Sequence, residues 1–369
     1  MILMVPALAD PTQIRARIQL LAEDPAWREL TSRPDIKFGI ELKMNRLVFP
    51  PDGSGPHIFG VRHAVQELIP EDWKIMVGLP KLLGMTEEAL DTWIRVLSDL
   101  DLELAVGHGG DTVGTDWQWD HPDQRYTSPI DSTQYLQAMD RVIEIGRRMT
   151  EAGIPLGFEI TGLTQFYLIG GQWQPDTFCC PRIGMLPTDT NYLCQETGAV
   201  PVIDDEHGGF SINGIMGLEN YVDERLWQRA FSARRVTDDD RLCYERFGFF
   251  FRRGELPYLE PDRFGLDGEL LGEGPNERWL PFFLERFENL GHFQLGSSVR
   301  EVSGGNITSH ALVSERDERF RRILRHVLSL QPESLMVEAG LDPFGRFSPE
   351  ILDTSIRVFG RILLEELDR

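Results

Sequence analysis

Cysteine, basic charge and long apolar runs are all scarce in this sequence of 369 residues. There are four cysteines: Cys179 and Cys180 are adjacent, Cys194 and Cys243 stand alone, and no C-x-x-C occurs. That usage excludes a disulfide framework and suits buried thiols in a reducing cytoplasm. Only 37 lysines and arginines face 59 acidic residues, a formal net charge of −22. Without a dense basic footprint, no nucleic-acid partner is expected. No apolar run approaches the 18 or so residues of a membrane span, so no membrane partner is expected either. The opening MILMVPALADP lacks a basic n-region and reads as a terminal arm rather than a signal peptide.

What is present is a rhythm. Short β-forming runs alternate with amphipathic helical stretches, the pattern of a parallel α/β sheet. The strand candidates are 36–42, 73–79, 102–108, 154–160, 200–206, 291–297 and 334–340, with a weaker one at 306–312. Eight of them point to a closed (β/α)8 TIM barrel, a single domain over 1–369 with long βα-loop insertions. Helices are expected at 86–100, where Leu90, Trp93, Ile94 and Leu97 share a face, and at 128–153, 317–330 and 348–367. Residues 109–128 and 208–275 break the rhythm, and 208–275 is long enough to be an inserted lid or an interaction surface.

The stretch VPVIDDEHGG (200–209) closes an apolar run with Asp204, Asp205, Glu206 and His207. Like charges crowded at a strand mouth repel unless a cation sits among them. Active residues of such barrels lie at the C-terminal strand ends. Those ends read His108, Glu159, Asp204 with His207, His292, His310 and Glu338. Carboxylates and imidazoles suit Mn, Co, Mg, Fe or Zn, so one divalent metal ion is the expected cofactor. Glu159 in LGFEI and Glu338 in LMVEAG are each a lone carboxylate in an apolar run, costly to bury without a partner. Asp204 or Asp205 could cap the following segment, and the spacing to His207 favours Asp204 as the ligand. His310 is not expected among the ligands.

Four segments, in order, resemble the xylose isomerase-like TIM barrels, the superfamily of sugar isomerases and epimerases that also includes endonuclease IV. FEIT (158–161) looks like the fourth-strand glutamate that binds metal. Asp204 to His207 is similar to the fifth-strand Asp-x-x-His motif, whose Asp binds metal and whose His faces substrate. GHFQLGS (291–297) resembles the sixth-strand Gly-His-x-His segment, with His292 as ligand. SLMVEAG (334–340) looks like the eighth strand, whose glutamate binds metal and transfers protons. The resemblance covers about 36–340 apart from the two long loops, and implies a metal held by Glu159, Asp204, His292 and Glu338.

His108 sits where endonuclease IV has a third-strand histidine. The second-strand histidine of that multi-metal enzyme has no counterpart, because WKIMVGLP ends in leucine and proline. That favours one metal over three. Two departures stand out: the His-x-His form is His292-Phe293-Gln294 here, and the polar cluster after it reads Gly296-Ser297-Ser298.

The implied activity is isomerisation or epimerisation of a ketose, aldose or cyclitol. The metal acidifies an α-C–H, and Glu159 and Glu338 remove and return the proton through an enediolate. His108 and His207 are the expected substrate-side groups, with Trp117 and Trp119 as stacking platforms. The expected partner is a small sugar-like molecule, and the epimerases resembled are often homo-oligomers. Two further readings follow from the same residues. One is a metal-dependent hydrolase or oxygenase in which His108 and His310 hold a second ion. The other is a non-catalytic barrel whose 208–275 loop binds another protein.

Overall fold

Strand parity sorts the apolar residues into two separate cores. A computed structural model of the chain describes residues 1–8, 10–43, 67–111, 119–120, 125–126, 132–161, 166–169, 172–175, 182–184, 187–205, 207, 284, 287, 289–296, 299–300, 307–308, 310, 312–340 and 348–369. Eight parallel strands close into a barrel: β1 (Ile2–Leu8), β2 (Lys37–Lys43), β3 (Lys74–Gly78), β4 (Leu102–His108), β5 (Leu156–Glu159), β6 (Val200–Asp204), β7 (His292–Leu295) and β8 (Ser334–Val337). Residues of one parity, such as Leu3, Val5, Phe38, Ile40, Phe158, Phe293 and Leu335, join the large core outside the sheet. Those of the other parity, Met4, Met76, Leu104, Val106, Val202 and Met336, form their own cluster inside the barrel. The barrel is therefore plugged by side chains. Polar chemistry is confined to what stands above and beside that plug.

The outer core is covered by helices α1 (Pro11–Glu23), α2 (Pro25–Thr31), α3 (Glu87–Ser98), α4 (Ser132–Glu151), α5 (Pro187–Thr197), α6 (Glu318–Ser329) and α7 (Pro349–Leu367). Their ends follow the sequence signals. Thr86, Asp317 and Ser348 cap α3, α6 and α7 through their side-chain oxygens. Just after α4, Gly153 turns with φ +81°. On α3, Leu90, Trp93 and Leu97 are buried and Ile94 is only partly so. Among the described residues no helix is long and apolar enough to cross a membrane.

Two of the sequence expectations exchange places. MILMVPALADP is not a terminal arm, for Ile2–Leu8 is β1 and closes the barrel between β2 and β8. A proline inside a seven-residue run argues against a central strand. Here the pairing with β8 spans only Ile2 to Met4, and the Pro6 carbonyl accepts instead from Arg17 Nε at 3.0 Å. The missing N–H therefore falls where the ladder to β8 has already ended. Conversely, 306–312 supplies no barrel strand. Ile307–Thr308 pairs antiparallel with Val299–Arg300, apart from the barrel. The insertion at 208–275 lies outside the described residues.

Interior positions must also stay small where strands crowd. A Cβ on Gly39 would lie 2.4 Å from Met4 Sδ and 2.6 Å from the Lys74 carbonyl oxygen, and the second atom is backbone that cannot swing away. Gly39→Ala is expected to lower stability by about 1–3 kcal/mol, the usual cost of overpacking. Urea titration of the variant checks this; an unchanged midpoint would contradict the packing described.

Candidate metal centre

Because side chains alternate along a strand, the inward-facing residue at each C-terminal end points into one mouth. β4 brings His108, β5 Glu159, β6 Asp204 and β8, just past its last paired residue, Glu338. Oxygens of Glu159, Asp204 and Glu338 lie within 4.8 Å of one another, although the strands that carry them are far apart in sequence. Two further groups overlap with this one: His108, Glu159 and His207, and Asp204, His207 and His310. Glu159 and Asp204 are almost wholly buried.

Asp204 and its neighbour divide two tasks. Asp204 Oδ1 accepts the His207 backbone N–H at 2.8 Å, which turns the chain after β6. Its Oδ2 is buried, makes no hydrogen bond, and stands 3.6 Å from His207 Nδ1 and 3.9 Å from His310 Nε2. Asp205 is committed elsewhere, its Oδ1 accepting the Gly296 N–H at 2.6 Å and tying β6 to β7.

The imidazoles are oriented by the groups behind them. His207 Nδ1 lies 2.9 Å from the Ile160 carbonyl oxygen, so that nitrogen donates and Nε2 is turned to His310. His207 Nε2 meets His310 Nε2 at 3.4 Å. His108 Nδ1 contacts Thr161 Oγ1 at 3.2 Å, which leaves Nε2 3.4 Å from Glu159 Oε1. His310, not expected among the ligands, arrives on a connection rather than a strand. It holds a left-handed φ of 54°, and its carbonyl accepts the Gly340 N–H at 2.9 Å.

His292 is not brought to this cluster. It opens β7, two residues and therefore about 6–7 Å below Gln294 along the strand. There its Nδ1 meets Ser334 Oγ at 2.8 Å and its Nε2 stands 3.6 Å from Glu41 Oε2. Gln294 is the β7 residue that reaches the carboxylates. With its amide nitrogen turned to the mouth it donates to Glu338 and to Glu159 Oε1, the latter at 3.3 Å. Trp117 lies outside the described residues; Trp119 belongs to a two-residue strand, Trp119–Asp120, paired with Arg125–Tyr126.

Two residues escaped the sequence reading: Glu41 and Lys43. Lys43 Nζ stands 2.8 Å from Glu41 Oε1 and 3.0 Å from Glu338 Oε2. A signal was available, since Glu41 is a lone carboxylate in the apolar run KFGIEL, like Glu159 and Glu338 in theirs.

Crowding of charge shifts these groups in opposite directions. Burial pushes the Asp204 carboxyl up to about 8; His207 opposes this, and Glu338 and Glu159 add to it. Burial works against a charged His207, yet Asp204 and Glu159 raise it to about 10. These two titrate as a pair, and the cluster by itself retains protons at neutral pH. Burial also opposes ionisation of Glu159, but His108, His207 and Lys43 outweigh it and hold that carboxyl well below its usual range. His108 is lowered, chiefly by burial. Lys43 is raised well above its usual value; burial opposes this but Glu338 and Glu41 prevail.

The residues fit a divalent ion. Metal–ligand distances of about 2.0–2.2 Å put neighbouring donor atoms roughly 3.0–3.6 Å apart. The contacts of 3.4 Å from Glu159 Oε1 to His108 Nε2, and of 3.4 Å between His207 Nε2 and His310 Nε2, are of that size. The buried Asp204 Oδ2 without a hydrogen bond is the kind of acceptor that a cation satisfies. The donor set is oxygen and imidazole nitrogen, suited to Mg, Mn, Fe, Co or Zn.

No family model matches the chain, and no curated protein does. Solved structures do. A D-psicose 3-epimerase crystallised with D-fructose aligns over 100% of this chain and 97% of its own, at 10% identity and TM-score 0.44. The 3-keto-D-glucoside 4-epimerase YcjR from E. coli aligns over 100% and 99%, at 9% identity and TM-score 0.45. A xylose isomerase-like TIM barrel protein from Mycobacterium smegmatis, in complex with magnesium, aligns over 97% and 89%, at 13% identity and TM-score 0.41.

Proposed function

We propose that this chain is a divalent-metal-dependent isomerase or epimerase of a small sugar-like molecule. The ion would be held by Glu159, Asp204 and Glu338, with His207 beside them. The observation that carries the reading is the convergence of those three carboxylates in one barrel mouth. A bound divalent ion supplies Lewis acidity to adjacent carbonyl and hydroxyl oxygens of a substrate.

The rest is work for the chain's own groups. Glu338 is partly exposed, 21% of its side chain, and opens on the mouth. Its carboxylate can take a proton from a substrate carbon there, with Lys43 fixing the direction of Oε2. Glu159 stands across the mouth on β5, with β6 and β7 between it and β8. A carbon between the two carboxylates is reached from both sides, which is what inversion of a C–H centre requires. His108, 27% exposed, lines the same opening and can bind a substrate hydroxyl.

A second reading has a specific observation behind it. His108 and His310 each complete a further ligand group, so a hydrolase or oxygenase holding two ions remains the alternative.

The test is elemental analysis of the purified protein together with solvent deuterium uptake by a panel of ketoses. About one Mn, Co, Mg, Fe or Zn per chain, and deuterium entering a single carbon position, is the expected result. Two ions per chain without exchange would favour the hydrolase or oxygenase. No metal after each ion has been supplied would overturn both.

A further inference from the structure

The proposed site draws on β5, β6 and β8 and leaves out the strand end that carries a cation. Lys43 ends β2 and shares its inward parity with Gly39 and Glu41. Its ammonium stands 2.8 Å from Glu41 Oε1 and 3.0 Å from Glu338 Oε2, so it bridges carboxylates from two strands at two depths. Glu41 has no exposed surface, and the direction of its Oε1 makes no hydrogen bond even at that short distance. The contact is an ion pair, set by charge more than by directed bonding. Gln294 lies alongside, its amide nitrogen turned to the mouth and donating to Glu338.

Two carboxylates converging on one point are a hard-oxygen pair of the kind that holds Mg²⁺ or Mn²⁺. We infer that the Lys43 ammonium stands in the place of a divalent ion between Glu41 and Glu338, so that removing it opens a further cation site there. The resident ammonium keeps Glu41 compensated with no exchangeable ion, and confines exchangeable metal to the β5 and β6 side of the mouth. The inference rests on the proposed function only in taking Glu338 to be shared with that metal site.

The test compares the Mn²⁺ content of four full-length proteins after equilibration with Mn²⁺ and dialysis: the parent, Lys43→Ala, Lys43→Arg and the double variant Glu41→Gln/Lys43→Ala. Lys43→Ala is expected to hold one Mn²⁺ per chain more than the parent and to melt higher when Mn²⁺ is added. Lys43→Arg keeps the cation and the double variant removes the buried charge, so neither should gain an ion. Equal Mn²⁺ content in parent and Lys43→Ala would overturn the inference and leave the proposed function standing. A parent without Mn²⁺ or any other ion, beside a Lys43→Ala chain that gains one, would overturn the proposed function alone. A Lys43→Ala chain that does not fold in Mn²⁺ also overturns the inference, because the ion should then replace the lost ammonium.

Discussion

Asp204→Asn is expected to weaken divalent-ion binding at least about a hundredfold, and Glu159→Gln to cut turnover by roughly 10²–10⁴. The first figure is a lower bound from outer-shell changes, which already cost about 10–100-fold in metal affinity. Asp204 is the stronger probe of binding because its Oδ2 is buried and without a hydrogen bond. Replacing that oxygen with an amide nitrogen points a donor at the ion and leaves the cap on His207 intact through Oδ1. The second figure is the usual worth of a positioned acid or base. Isothermal titration with Mn²⁺ and deuterium exchange on a confirmed substrate separate the two effects. Glu338→Gln should resemble Glu159→Gln in turnover, since either carboxylate alone handles only half of the proton transfer. Normal exchange in both glutamine variants would remove the pair from the mechanism.

The second large effect is on stability as a function of pH. Asp204 holds its proton more tightly in the folded chain than its ordinary value of 3.8 allows. The stability this contributes is full below about 4 and is lost as pH rises through about 8. His207 acts with the same sign, full below its ordinary 6.5 and lost through about 10. Glu159 has the opposite sign: its lowered value adds stability above the ordinary 4.5, which is lost only in acid. Between pH 6 and 9 the first two dominate, so chelator-treated protein should melt progressively lower across that range. A divalent ion replaces those protons, and its binding therefore strengthens as pH rises. At about a hundred times Kd the ion contributes roughly 2.7 kcal/mol, a rise of the order of 5 °C. The rise should be larger at pH 9 than at pH 6. Melting curves with and without Mn²⁺ check it, and a rise that shrinks with pH would show that the cluster does not hold those protons.

Legibility differed from strand to strand, for physical reasons. Glu159 and Glu338 could be read because an isolated carboxylate in an apolar run has no cheap burial. Glu41 obeys the same rule in KFGIEL and was overlooked, its compensation by Lys43 two residues on being a matter of side-chain reach. His292, the ligand that its motif implies, lies two residues deeper along β7 than Gln294, and Gln294 is the β7 residue that reaches the Glu159 and Glu338 carboxylates. Both face inward, so parity cannot separate them. His310 shows the converse. Nothing in NITSHAL says that a loop with one left-handed residue will lay its imidazole against His207.

The sequence by itself determined the parallel α/β barrel, the faces of its helices and the carboxylates at its strand ends. These follow from periodicity and from the cost of burying charge, which are local properties of the chain. Only the tertiary structure decided that Ile2–Leu8 closes the barrel in place of 306–312 and that Gln294 faces the carboxylates above His292. It alone decided that Lys43 stands between Glu41 and Glu338. Each of these depends on register between strands distant in sequence. A shift along a strand changes a residue's depth in the barrel by several ångströms while leaving its local pattern untouched.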